Sequence, residues 1–360
     1  MKLSEIYQNR LKNLRIKMKL KNSQAALITR RANYMYMSGF TGTSAILYIN
    51  HDRAVLITDF RYTQQAAVQA PDYEIVRYQG SIFEELNKLL ESDNIKELSF
   101  EDEDLTYAQY NEYAKRLSAG MVPLGRMVEE LRRVKDESEI EIISKAVDIA
   151  DRVFSHILGF IRPGLSEIEV AAEMEHHMRR LGAEGPSFET IIASGKRASM
   201  PHGVASDKKI EAGDVITLDF GAIYKGYCSD MTRTIFLGKP GYELEKIYNI
   251  VLEANLLGLK AVKKDRAGKE IDAAARGYIC GAGYGECFGH GLGHGVGLDI
   301  HEDPTLSARG DIVMQDGMVV TVEPGIYIPD LGGVRIEDMV VVDGMNARIL
   351  TASTKEMIVI

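Results

Sequence analysis

Apolar and polar positions recur along this chain with two periods, and the switches between them divide it into elements. Leu3, Ile6, Leu11, Leu14 and Met18 fall on or near one face of a helix over residues 2–20. Short β-rich runs follow at 25–29, 45–50, 54–59, 73–78 and 97–100, separated by polar or helical stretches at 61–70, 81–91 and 107–117. Strands alternating with helices predict a small α/β domain. Tyr34, Tyr36 and Asp59-Phe60-Arg61-Tyr62 could line a site in it, but they read best as ordinary loop and strand-end residues. Turn chemistry in Gly120-Met121-Val122-Pro123-Leu124-Gly125 sets a boundary near residues 120–135, so domains are expected at 1–130 and 131–360.

Beyond the boundary, Ser138 and Glu141 fit a capping box ahead of the helical pattern Ile140, Ile143, Ala146, Val147 and Ala150. Pro163-Gly164 stops that run, and Ser166 with Glu169 caps a second helix to about Leu181. The chain then repeats itself. The segment 211–221 aligns with 315–325 at a constant offset of 104, with Gly213, Val215, Thr217 and Gly221 identical to Gly317, Val319, Thr321 and Gly325. Upstream, Gly164 and Glu167-Ile168-Glu169 match Gly268 and Glu270-Ile271-Asp272 at offsets of 104 and 103. Each half reads as helix, helix, strand pair, and two related halves facing each other leave one shared cleft. Two copies are too few for a solenoid array.

Composition narrows the classes. A chain of 360 residues is long for one core, and 45% apolar with 26% charged residues is a globular balance. A net charge of −9 makes it a poor generic partner for nucleic acid or anionic membranes. Cys228, Cys280 and Cys287 imply no disulfide framework, and no CxxC pair supplies a thiolate zinc knuckle. The N-terminus lacks the apolar core of a signal peptide, and no apolar run is long enough to span a bilayer, so the cytoplasm is the expected location.

Chemistry concentrates in the repeat. An acid sits at the same place on each aligned strand, Asp219 and Glu323, and each is followed by a turn and a second acid, Asp230 and Glu337. Val215, Ile216 and Leu218, like Val319, Val320 and Val322, mark these strands as buried, where a carboxylate is costly without a compensating cation. One such acid would be an ordinary ion-pair partner; four placed by an internal repeat point to metal. His290, His294 and His301 lie within twelve positions of Gly-rich sequence, which suits a loop or strand passing close to an ion and its substrate. His290 and His294 have zincin spacing, but the intervening glycines disfavour a helix and no Glu follows His290. Four carboxylates and an imidazole suit two divalent ions; manganese fits best, with cobalt or zinc as alternatives. Two ions about 3.5–4 Å apart activate water for hydrolysis.

These residues make the region 135–360 resemble the pita-bread metallopeptidases: methionine aminopeptidase, aminopeptidase P, prolidase and creatinase. The words Leu218-Asp219-Phe220-Gly221, Ser229-Asp230-Met231-Thr232-Arg233, Val322-Glu323-Pro324-Gly325 and Arg335-Ile336-Glu337-Asp338 carry the likeness. The resemblance implies an α/β creatinase-like N-terminal domain, then an α+β pita-bread domain with an internal pseudo-twofold duplication. It implies Asp219, Asp230, His294, Glu323 and Glu337 as the metal ligands. The Arg335-containing word, the His301-Glu302 pair and the N-terminal domain resemble the proline-specific branch. That implies an exopeptidase cutting between an N-terminal residue and proline, in dipeptides or longer peptides. Glu323 would double as proton shuttle, and His202 and His301 would bind the substrate carbonyl or oxyanion. His290 would meet the proline side or carboxylate, and Arg335 would clamp ligands or anchor substrate. Thr232, Thr321 and Asp338 are candidates to support the ligands. A homodimer, with the N-terminal domain helping to form it and close the cleft, is the expected assembly. A methionine aminopeptidase-like enzyme, a metal-free creatinase-like C–N hydrolase and a catalytically silent binding module are the competing readings.

Overall fold

A computed structural model of the chain describes residues 3–360; Met1 and Lys2, and the side chains of Leu3 and Ser4, lie outside the described part. The chain divides into two compact units between Arg132 and Arg133.

The first unit runs α1 (Leu3–Leu20), β1 (Ala25–Ile28), α2 (Arg31–Ser38), β2 (Ala45–Asn50), β3 (Ala54–Thr58), α3 (Thr63–Gln69), β4 (Glu74–Arg77), α4 (Ile82–Ser92), β5 (Glu97–Phe100), α5 (Tyr107–Arg116), β6 (Gly120–Pro123) and α6 (Met127–Arg132). The apolar stripe of α1 is buried at Ile6, Leu11, Leu14 and Met18. Six strands form one mixed sheet in the order β4-β3-β2-β1-β5-β6. On one of its faces Leu27, Tyr48 and Ile57 pack with Phe83, Leu86 and Leu90 of the amphipathic α4. Two readings of the sequence change. Residues 120–123 are not a turn but an edge strand parallel to β5, with Leu98 opposite Met121 and Phe100 opposite Pro123. A proline is tolerated there because an edge strand leaves alternate N–H groups unpaired. The helix α2 also went unread, since its eight residues carry too short a period; Gly39, at φ 78°, ends it. Asp59, Arg61 and Tyr62 behave as strand-end residues, with Arg61 ion-paired to Asp59 at 2.7 Å.

Just past the ends of the neighbouring strands β1 and β5 lies a buried acid. Glu101 accepts the backbone N–H groups of Thr29 at 2.6 Å and Arg30 at 2.7 Å, and the Asn33 amide at 2.5 Å. Burial, reinforced by Glu129, outweighs these donors and pushes its carboxyl up to about 7. The folded chain then holds a proton that the unfolded chain releases near 4.5. This group's contribution is therefore full below about pH 4.5 and is lost as pH rises through 7, by up to roughly 3 kcal/mol. Amide exchange of β1, corrected for intrinsic rates, should show opening made easier between about pH 5 and 8, and Glu101→Gln should flatten that trend. An unchanged pH profile in the variant would remove Glu101 as its cause.

The second unit opens with α7 (Glu137–Leu158) and α8 (Glu167–Arg180). Ser166 and Glu169 form the expected capping box on α8. On α7 the box lies two residues earlier than Ser138 and Glu141 suggest: Asp136 is the N-cap and Glu139 its partner. A carboxylate can accept from both Ser138 and Glu139 backbone N–H groups, and the Ser138 hydroxyl itself donates to Asp136. There follow β7 (Gly185–Pro186), β8 (Ile191–Ser194), β9 (Val215–Phe220), β10 (Ala222–Tyr224), β11 (Tyr227–Cys228) and β12 (Met231–Phe236). The second half repeats the plan with α9 (Tyr242–Ala261), α10 (Gly268–Gly281), β13 (Gly293–Gly295), β14 (Glu302–Leu306), β15 (Val319–Val322), β16 (Gly325–Ile328), β17 (Gly332–Arg335), β18 (Asp338–Asp343), β19 (Asn346–Ile349) and β20 (Ile358–Val359). The strands β8, β9 and β12 form one antiparallel set, and β13, β15 and β18 another.

The duplication is visible in the backbone. Gly213 and Gly317, identical in the repeat, turn into β9 and β15 with φ of 93° and 85°, a conformation that costs glycine nothing. Each half has its own core. Ile216, Leu218 and Phe220 pack with Ile149, Val153 and Met174 of the first helix pair. Val320 and Val322 pack with Val251, Ile271 and Ala275 of the second. Because strand side chains alternate, the residues between them, Thr217, Asp219, Thr321 and then Glu323, face the opposite side. The period of two thus gives each sheet an apolar face for its helices and an acidic face.

Candidate metal centre and substrate cavity

The same alternation delivers the remaining acids. Met231 and Ile235 of β12 belong to the first core, leaving Asp230 and Thr232 on the acidic face. Val334 and Ile336 belong to the second, leaving Arg335 and Glu337 there. Asp219, Asp230, His294, Glu323 and Glu337 accordingly border one cavity of about 510 Å³. Donor atoms of Asp230, His294 and Glu337 lie within 4.8 Å of one another. His294 Nε2 stands 3.4 Å from Glu323 Oε1 and 3.6 Å from Asp230 Oδ2. Its other nitrogen, Nδ1, donates to the Gly295 carbonyl at 3.0 Å, which leaves the Nε2 lone pair facing the acids. Gly293 lets this strand approach: a Cβ there would stand 2.0 Å from the Thr321 carbonyl oxygen.

Charge in this pocket is unbalanced. Burial and mutual repulsion hold Asp230 and Glu337 well above the ordinary carboxylate range, and burial pushes Glu323 up to about 8. The buried Arg335 pairs with Asp219 at 2.6 Å. Glu337 Oε1 is buried with no hydrogen-bond partner. Four carboxylates, an oriented imidazole and an orphaned oxygen fit divalent cations, and they are poorly served by protein groups alone. Chelated cations would remove both the repulsion and the orphan.

Arg335 organises the floor. Its Nε donates to Thr232 Oγ1 at 2.9 Å, one terminal nitrogen to Asp219, and the other to Tyr327 Oη at 2.7 Å and the Pro201 carbonyl at 3.3 Å. Thr232 donates onward to Glu337 Oε2 at 2.8 Å. Thr321 donates to Glu323 Oε1 at 3.2 Å and accepts the His294 N–H. Asp338 points elsewhere, to Arg233 at 2.8 Å and Lys355 at 2.7 Å, so it braces the strands and does not touch the ligands. Glu302 likewise turns to Lys135, at 3.2 Å.

His290, His202 and His301 line the same cavity. His290 Nδ1 donates to the Gly291 carbonyl at 2.8 Å, and its Nε2 accepts from Tyr327 Oη at 2.9 Å. Burial and Arg335 lower it to about 4, so it is a neutral ring presenting its face. Arg276 of α10 fixes this loop by holding the carbonyls of Phe288 and His290. His202 and His301 are exposed on the open side, and neither has a hydrogen-bond partner among the described residues. Sequence reading missed Tyr327, which links Arg335 to His290, and the wall of Phe188, Glu189, Ile191, Val204 and Ile300. Tyr327 had a faint signal, an aromatic two residues after a repeat glycine; the wall had none.

A buried cluster of acids and an oriented imidazole, opening on a cavity edged by histidines, defines a metal-dependent hydrolase. Family comparison gives the same class. Residues 141–344 match metallopeptidase family M24, and residues 10–134 match the creatinase/prolidase N-terminal domain. The chain is 50% identical over 335 residues to "Uncharacterized peptidase YqhT" of Bacillus subtilis (strain 168), covering 93% of this chain and 95% of that one. Among solved structures it is similar to an Xaa-Pro dipeptidase from Bacillus anthracis, with TM-score 0.97 and 49% identity over 98% of this chain and 100% of that one. It also resembles an X-Pro aminopeptidase from Thermotoga maritima MSB8, with TM-score 0.89 and 41% identity over 94% and 97%. This chain belongs to metallopeptidase family M24, in the branch that carries the creatinase/prolidase N-terminal domain, and it has the pita-bread fold. Among the described residues no helix is long and apolar enough to cross a membrane.

Proposed function

We propose that this chain is a two-metal exopeptidase that hydrolyses the bond between an N-terminal residue and proline, with Xaa-Pro dipeptides as preferred substrates. The observation that carries the reading is the convergence of Asp219, Asp230, His294, Glu323 and Glu337 in one cavity whose remaining polar wall is histidine and arginine. The 49% identical Xaa-Pro dipeptidase supports the dipeptide preference. Asp219, Asp230, His294, Glu323 and Glu337 would hold two divalent cations, manganese by the oxygen-rich donor set. Bound there, the cations supply Lewis acidity to water and to the scissile carbonyl.

The chain's own groups do the rest. Glu323 takes a proton from the attacking water at a carboxylate oxygen and returns it to the proline nitrogen as the C–N bond breaks. His202 and His301, with ring nitrogens unclaimed by protein, donate to the carbonyl oxygen as it gains charge. The neutral face of His290, held by Tyr327, packs against the proline ring. A prolyl bond carries no N–H and has a fixed φ, so a shaped wall serves it better than a backbone hydrogen bond. The enzyme works in the cytoplasm as a homodimer assembled through its N-terminal unit, which sedimentation can check.

The deciding assay offers Ala-Pro, Met-Pro, Ala-Pro-Ala and Met-Ala-Ala to chelator-treated protein restored with manganese, cobalt or zinc. Cleavage of the two dipeptides alone is expected. Cleavage of Ala-Pro-Ala as well makes it an aminopeptidase P, and cleavage of Met-Ala-Ala refutes proline specificity. No hydrolysis with any ion would favour a binding module.

A further inference from the structure

Five acids border the cavity, and four of them belong to the ligand cluster. The fifth, Glu189, stands apart. It is exposed, and among the described residues no hydrogen bond or ion pair engages it. Its position follows from the strand it precedes. Ile191 pairs with Asp219 across β8 and β9 and lines the cavity. Thr190 faces the other way, donating to Glu175 of α8 at 2.9 Å. Glu189, two residues before Ile191 and just outside β8, lines the same cavity, up to about 7 Å of chain from the level of Asp219. Bound cations neutralise the cluster, so Glu189 is then the uncompensated acid of this wall. Phe188, Ile191 and Val204 beside it give an apolar surface for an aliphatic stem.

We infer that Glu189 selects the charge of the substrate's first side chain, favouring Lys or Arg before proline and disfavouring Asp or Glu; this rests on the Xaa-Pro reading above. Two features argue for the side chain over the α-ammonium. The α-nitrogen is two bonds from the scissile carbonyl carbon and so stays beside the ligands, whereas Glu189 is exposed and two residues of chain away from the level of Asp219. A Lys or Arg stem spans that distance, lies along the apolar wall and leaves its charge in the wet mouth.

The test measures kcat/KM for Lys-Pro, Ala-Pro and Glu-Pro in the manganese-loaded full chain and in Glu189→Gln and Glu189→Lys. In the unmodified protein the order should be Lys-Pro, Ala-Pro, Glu-Pro, with about tenfold between the extremes, the size of one attraction and one repulsion at a solvent-exposed pair. Glu189→Gln should bring the two charged substrates together relative to Ala-Pro, and Glu189→Lys should invert them. The spread should shrink when ionic strength rises from about 0.01 M to about 1 M, as the Debye length falls from about 30 to about 3 Å. Unchanged ratios in both variants would overturn the inference while leaving the Xaa-Pro reading intact. An equal loss on all three substrates would overturn it in favour of α-ammonium binding. Failure of the unmodified protein on Ala-Pro would sink the Xaa-Pro reading, and the inference with it.

Discussion

Glu337→Gln should abolish metal-dependent cleavage and yet make the metal-free protein more resistant to heat. The two effects have one origin. Glu337 offers one oxygen to Thr232 and keeps the other, Oε1, buried without a partner, beside Asp230 and His294. On the function proposed above that oxygen would take a cation; without one, burial and the charges of Glu323 and Asp219 disfavour its ionised form. A neutral amide of the same shape loses a strong ligand, so kcat/KM should fall by about 10³-fold or more, the several kcal/mol a Lewis acid supplies. Manganese bound per chain should fall with it. In chelator at about pH 8, a pH at which the unfolded chain's carboxylates are ionised, the variant should melt above the parent, because one buried repelling charge is gone. In excess manganese the order should reverse, since a cation that binds only the folded state stabilises the parent more. Melting curves with and without metal, beside metal analysis, decide it. A variant that keeps full activity, or that melts lower in both conditions, would mean that Glu337 is a structural acid.

The four acids were legible in the sequence because the repeat aligned them on apolar strands. The offset of 104 set Asp219 against Glu323, and the valines, isoleucine and leucine around them marked both strands as buried; which of these side chains face the helices is set by the fold, where Ile216, Leu218, Val320 and Val322 pack away from the acids. The paired left-handed glycines, Gly213 and Gly317, show why the repeat could be read: both strands must leave a turn that tolerates little else. What was not legible depends on contacts that no local pattern encodes. Arg335 reaches Asp219 across 116 positions and Thr232 across 103, and only the folded sheets show that these three meet. His290 illustrates the same limit. The resemblance implies contact with the substrate's proline side or carboxylate without choosing between them; only the fold shows that Tyr327 and the Gly291 carbonyl occupy both ring nitrogens and leave the ring face. Asp338 is a candidate support for the ligands by resemblance; one residue along a strand from Glu337 is the opposite face, and there it meets Arg233. Capping on α7 shifted for a local reason: Asp136 and Ser138 both suit an N-cap, and the carboxylate can satisfy two backbone donors where the hydroxyl satisfies one.

Arg335→Met should cost about 10- to 100-fold in metal affinity or activity, less than losing a ligand, although Arg335 makes its contacts with protein groups alone. Among the described residues its guanidinium is the one group that touches Asp219, Thr232, Tyr327 and the Pro201 carbonyl together. Through Thr232 it fixes Glu337, and through Tyr327 it fixes His290. Removing one partner of a buried ion pair leaves the other charge unpaired, so the metal-free protein should lose about 3–5 kcal/mol of stability. Groups that orient ligands in this way are worth about 10- to 100-fold in metal affinity or activity. Arg335→Lys tests whether charge or shape carries the effect. An ammonium keeps the charge but lacks the planar fork, and it cannot serve strands β9, β12 and β16 at once. The lysine variant should therefore recover much of the stability and little of the turnover. Tyr327→Phe separates the two arms: it removes the hydroxyl that joins Arg335 to His290 but leaves the bonds of Arg335 to Asp219 and Thr232, so KM for Ala-Pro should rise while manganese affinity stays near that of the parent. If Arg335→Lys instead restores kcat/KM to within about twofold of the parent, a positive charge beside Asp219 is all the site needs, and the fork has no part in setting the ligands.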